Sequence, residues 1–173
     1  MQGGVINTPD APQEEVPAVH ARIMLGGRAD RYSGFMPGLF EEALVTLELG
    51  CPLYVLGGFG GVSQLLSEAM LGAGELPPAL TEAGQRRSNP ELPGLADLCG
   101  RFAMPAPIPS VGDAYRKLAQ LILEVRANPE QRLRTGLSRA ETVELMTTRD
   151  ISSAVRLVRK GLYWQLSLPI WQA

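Results

Sequence analysis

Residues 21–61 read ARIMLGGRADRYSGFMPGLFEEALVTLELGCPLYVLGGFGG, and their order of apolar runs and glycines decides the fold. Ala21-Arg22-Ile23-Met24-Leu25 is a short apolar run closed by Gly26-Gly27, the pattern of a buried strand. Beyond the loop from Arg28 to Pro37, Leu39, Phe40, Ala43, Leu44 and Leu47 recur at three-and-four spacing, with Glu41, Glu42 and Glu48 between them. This is an amphipathic helix: Pro37 suits its first turn, where a missing N–H costs nothing, and Gly50 ends it. Leu53-Tyr54-Val55-Leu56 is a second buried strand, and Gly57-Gly58-Phe59-Gly60-Gly61 leads into another helix over Val62 to Leu71. Strand, helix, strand, Gly-rich turn and helix form a βαβα unit, which predicts parallel strands and an α/β fold.

Outward from this unit, residues 1–19 are polar, proline-bearing and without periodicity, and they read as a flexible N-terminal arm. Residues 20–173 are then a single domain. Gly72 to Pro109 is rich in Pro, Gly and charge, with short helices expected near Ala79–Gln85 and Leu95–Phe102. From Val111 to Ala127 the positions Ala114, Leu118, Leu121, Ile122 and Val125 mark an amphipathic helix that Asn128-Pro129 stops. Ser138-Arg139-Ala140-Glu141 is a capping box that opens a short helix to about Met146. Asp150 caps a last helix with Ile151, Ala154, Val155, Val158 and Leu162 on its core face. The tail, Tyr163 to Ala173, carries Trp164 and Trp171, expected to cover a core edge or an interface. Two strands alone cannot bury both faces of a parallel sheet. Further strands, for example over Phe102–Ile108, a partner chain or domain, a second copy of the chain, or a missing N-terminal segment are expected to complete it.

Composition excludes several classes of function. The chain has 173 residues, 45% of them hydrophobic and 20% charged, ordinary values for a globular domain and not those of a disordered chain. No apolar run approaches the roughly 18–20 residues of a membrane span. With 16 Lys+Arg against 18 Asp+Glu the formal charge is -2, so no basic face is advertised to nucleic acid. Cys51 and Cys99 are too few for a disulfide framework, and MQGGVINTPDAPQEEVPAVH lacks the basic start and apolar core of a signal peptide. The expectation is a cytoplasmic protein with neither a nucleic-acid nor a membrane partner.

Nineteen glycines and 14 prolines exceed average usage, and they cluster beside apolar runs as phosphate-handling loops do. Gly26-Gly27-Arg28 follows the first strand, where glycines let backbone N–H groups approach a phosphate and Arg28 adds charge; the plainer alternative is a tight turn with a surface arginine. Gly57-Gly58-Phe59-Gly60-Gly61 before a helix offers an anion site without side chains. It is not a Walker A loop, because no Gly-Lys-Ser/Thr follows, nor is it GxGxxG in register. After Pro37-Gly38, Glu42 lies one turn along the helix and can face back toward the loop, where a carboxylate would hold ribose hydroxyls or stabilise an oxocarbenium ion; alternatively it is a solvated acid near the positive helix end. His20 is the only histidine and sits beside the arm, which argues against a His-based metal cluster or a His–Cys pair. No metal site and no cofactor are expected, and both cysteines read as packed thiols.

At these residues the sequence resembles a known superfamily. The run quoted above looks like the second half of a SLOG domain, a Rossmann-like fold sharing ancestry with the LOG phosphoribohydrolases. GLSRAETVELMTTRDISSAVRLVRKGL resembles the C-terminal helices of such proteins. The likeness covers roughly residues 20–73 and 136–162. It implies a Rossmann-like parallel sheet flanked by helices, shortened at the N-terminus. It also implies binding of a nucleotide or an ADP-ribose-like signal, as in sensors of bacterial antiphage defence. The related nucleoside deoxyribosyltransferases and TIR domains space Pro-Gly, Glu and Gly-x-Pro much as Pro37-Gly38, Glu42 and Gly50-Cys51-Pro52 are spaced here. That likeness makes Glu42 the catalytic candidate of an alternative function, N-glycosidic cleavage or transfer on NAD or nucleotides. LOG enzymes carry Gly-Gly-x-Gly-Thr-x-x-Glu; here Gly61 stands for Thr and Gln64 for Glu, which speaks against LOG-type activity. A third alternative is a degenerate scaffold whose surface serves assembly.

Overall fold

Successive side chains of a strand point to opposite faces, so two strands with apolar residues on both faces need helices on both sides. The computed structural model of the protein describes residues 21–32, 34, 36–94, 97 and 110–167. In it, β1 (Arg22–Leu25) and β2 (Leu53–Leu56) are adjacent and parallel, in a register that pairs Arg22 with Leu53 and Leu25 with Leu56. Helix α1 (Gly38–Glu48) makes the crossover between them, and α2 (Gly61–Leu71) follows β2 after a 3-10 turn over Gly57–Phe59. The expected βαβα unit is therefore present. Among the described residues the sheet has two strands, which form a small parallel α/β core. Phe102–Ile108, His20, Cys99, Trp171 and the arm lie outside the described residues.

The later elements are α3 (Glu82–Ser88), α4 (Val111–Ala127), α5 (Pro129–Leu133), α6 (Arg139–Thr147) and α7 (Ile151–Leu166). Met24, Leu53 and Val55 enter the larger core with Phe40 and Leu47 of α1, Val62 and Leu66 of α2, and Leu118 and Ile122 of α4. Tyr54 and Leu56, on the other face, pack with Leu137, Leu145, Ala154, Leu157 and Val158, so α6 and α7 form the opposite layer. That layer covers β2 more fully than β1. Ile23 and Leu25 stand opposite Tyr54 and Leu56 in the register, yet they are 49% and 54% exposed.

Local chemistry accounts for most helix ends and for two departures from expectation. The Ser138 hydroxyl accepts from the Glu141 amide while the Glu141 carboxylate accepts from the Ser138 amide, and Asp150 accepts from the Ser152 and Ser153 amides. Where one short helix was expected over Ala79–Gln85, the chain makes a 3-10 turn at Pro78–Leu80 and then α3, because extended Thr81 caps the second element through the Gly84 amide. The last helix also runs one turn past Leu162, so Tyr163 and Trp164 belong to it and not to a tail. Buried Gln165 holds that turn by donating to the Tyr54 hydroxyl and the Arg134 carbonyl. The Trp164 ring covers Gly136, where an added Cβ would lie 2.4 Å from it.

Candidate functional site

Parallel strands present their carboxyl ends on one side, and there the two glycine runs meet. Gly26 and Gly27, at φ +66 and +93, turn the chain off β1 in the left-handed region that favours glycine. Their carbonyls accept from the first amides of α2: Ser63 N–H donates to Gly26 at 2.9 Å and Val62 N–H to Gly27 at 3.1 Å. Close approach of the two loops requires glycine at 61 as well, since a Cβ on it would lie 2.3 Å from the Gly27 carbonyl. Gly57 and Gly58 are fixed from the other side. A Cβ on Gly57 would meet the Ser67 hydroxyl at 2.1 Å, and one on Gly58 the Thr148 carbonyl at 1.9 Å. Gly60, at φ +87, has no such neighbour and serves the turn. Phe59 packs partly buried against the smaller core.

The sequence leaves open whether so many glycines serve structure or a ligand. Their spacing at 57, 58 and 61 has a packing reason on this geometry. The amides of Val62 and Ser63, which a bare helix N-terminus would offer to an anion, are already engaged. Arg28 is exposed just beyond Gly27. Pro37 is buried and caps α1, its carbonyl accepting from the Phe40 and Glu41 amides, and Gly38 opens the helix with no atom within 4 Å of an added Cβ.

Glu42 is engaged in an ion pair. The Arg22 guanidinium donates to its carboxylate, and Arg22 begins β1, at the opposite end of the strand from Gly26. Both side chains are part-exposed, at 35% for Arg22 and 41% for Glu42. The structure thus gathers Gly26, Gly27 and Gly57–Gly61, with Arg28 alongside, and holds Glu42 in an ion pair elsewhere. Among the described residues, no group of His, Cys, Asp and Glu is arranged to hold a metal ion, and no helix is long and apolar enough to cross a membrane.

Two polar groups beside the loops escape sequence reasoning. Ser63 and Ser67 of α2 are buried, and neither hydroxyl has a hydrogen-bond partner among the described residues. The available signal is two small polar residues inside the core-facing stripe of Val62, Leu66, Ala69 and Met70.

Comparison with known proteins bears on the same segment. A family model described as SLOG cluster2 matches residues 15–145, from before β1 into α6, and so includes both glycine runs. No curated protein and no solved structure matches the chain.

Proposed function

The chain belongs to the SLOG cluster 2 family, and on that premise we propose that it binds a nucleotide-derived small molecule of the ADP-ribose kind at the carboxyl ends of β1 and β2. The membership supports a nucleotide-related function in general terms. The observation that carries the finer reading is the meeting of Gly26-Gly27 with Gly57–Gly61 at the end of a parallel strand pair, the place where open α/β sheets take their ligands. Arg28 supplies the charge for a phosphate, since the Val62 and Ser63 amides are already committed. In this reading the protein is a sensor, as in a bacterial defence system. It hands occupancy to a partner domain or second copy that completes the sheet over half-exposed Ile23 and Leu25.

The test is to mix the pure protein with NAD, ADP-ribose and AMP, follow the melting temperature, and analyse the same samples by mass spectrometry. At a ligand concentration about a hundredfold above Kd, binding stabilises by about 2.7 kcal/mol. For a chain of this size that is a rise of about 5–10 °C. A rise with the ligand intact is the expected result. Released base, abolished in Glu42→Gln, would replace the sensor by a glycosidic-bond enzyme. No shift with any of the three compounds would overturn nucleotide binding and favour a scaffold.

A further inference from the structure

Behind the glycine loop, α2 and α6 leave a groove whose arginines the reading above does not use. One cavity of about 420 Å³ is bordered by Gly57, Gly58, Ser67, Glu68, Thr147 and Arg149. A second, of about 400 Å³, is bordered by Val125, Arg126, Pro129, Arg139, Thr142 and Val143. Leu71, Gly72 and Met146 form a wall of both, so the two are halves of one groove with an apolar middle.

Its polar groups have a definite sign. Arg149 stands at the half nearer the glycine loop, and Arg126 and Arg139 at the far half; Glu68 is the acid among these lining residues, and its carboxylate accepts from Gln64 at 2.6 Å. Arg126 is held in place by donating to the carbonyls of Ala69 at 2.6 Å and Gly74 at 2.7 Å. The side chains of Arg139 and Arg149 are exposed and have no ion-pair partner among the described residues. This positive groove sits on a chain whose formal charge is -2. Each half is also bordered by a buried residue whose hydroxyl has no hydrogen-bond partner among the described residues: Ser67, 3% exposed, in the first and Thr142, 2% exposed, in the second. A buried hydroxyl left unpaired is costly, and such groups are normally met by water or by a ligand atom.

We propose that this groove receives a nucleotide with two separated acidic centres, one met at Arg149 and the other at Arg139 and Arg126, its body lying on Leu71 and Met146. The inference rests on the nucleotide-binding reading for the kind of ligand and adds a second site, apart from Arg28, for a nucleotide carrying two separated phosphate centres as opposed to one. Apolar contact supplies area along the middle, and guanidinium groups at both ends select phosphates.

Titration calorimetry on the full chain tests it with two ligand pairs, AMP against adenosine 3′,5′-bisphosphate and NAD against NADP. The doubly acidic member of at least one pair is expected to bind about tenfold more tightly than its parent, the scale of one added charge-assisted contact. Arg139→Gln or Arg149→Gln is expected to remove that gain, so that the two members of the pair bind with equal affinity. Both arginines are exposed, so melting temperatures of the variants should match that of the wild-type protein. Parents that bind as well as their doubly acidic partners would overturn the groove assignment alone, as would a gain that survives both substitutions. Binding by none of the four compounds would overturn the nucleotide reading as well.

Discussion

A single methyl group separates glycine from alanine, and at position 61 the structure has no room for it. At φ +66, with the Gly27 carbonyl 2.3 Å from where a Cβ would stand, Gly61→Ala must both strain its backbone and push the β1 loop away. Left-handed strain of about 1–2 kcal/mol and overpacking of about 1–3 kcal/mol predict a loss of roughly 2–5 kcal/mol, read from urea unfolding. Gly38→Ala makes the control. Gly38 has no positive φ and open space around its Cβ position, so alanine there is expected to stabilise by about 0.4–1 kcal/mol. Should the two variants unfold alike, the close contact of the glycine loops would be wrong. Glu42 teaches a separate lesson at this scale. Helical spacing places it one turn from Gly38, yet spacing does not say which cation claims its carboxylate, and Arg22 is brought to it only by the crossover.

Whole elements were far more readable than side-chain partners. Both strands, α1, α2, α4 and the caps of α6 and α7 follow from periodicity, glycines and Ser or Asp at the right positions, because those signals act within a few residues. The extra turn of α7 was not readable, since it depends on Gln165 meeting Tyr54 across 111 residues. Likewise the α2–α6 groove arises from packing between distant segments and left no local pattern. The caps carry a pH dependence. Hydrogen bonds from Ser153 hold the Asp150 carboxyl below its ordinary 3.8, and Lys160, then Ser138, hold that of Glu141 below 4.5. A depressed folded pKa gives stability that is complete above the ordinary value and lost as pH falls through the folded one. Thermal stability is therefore expected to fall below about pH 4.5, and Asp150→Asn with Ser138→Ala to lower it at pH 7 while flattening the acid limb. An unchanged acid limb in that double variant would remove these caps as its source.

For the molecule as a whole, Tyr54 joins the layers. It is fully buried in β2, donates to the Thr135 carbonyl at 3.0 Å and accepts from Gln165 at 3.2 Å. Burial pushes its phenol up to about 12. A raised folded pKa means stability that is intact below about pH 10 and lost as pH climbs through the folded value, because the unfolded chain ionises first. The protein is thus expected to weaken between about pH 10 and 12, and Tyr54→Phe to remove part of that slope while losing stability at pH 7 from the partners left behind. Equal slopes in both proteins would assign the alkaline loss to other groups, such as Tyr115, whose phenol burial also raises. The reach of this one side chain matters during synthesis too. Gln165 leaves the ribosome 111 residues after Tyr54, about 5–20 s later at ordinary translation rates. Through that interval the sheet face bearing Tyr54 and Leu56 waits on the nascent chain without α7, an apolar surface presented first to chaperones and only then to its own last helix.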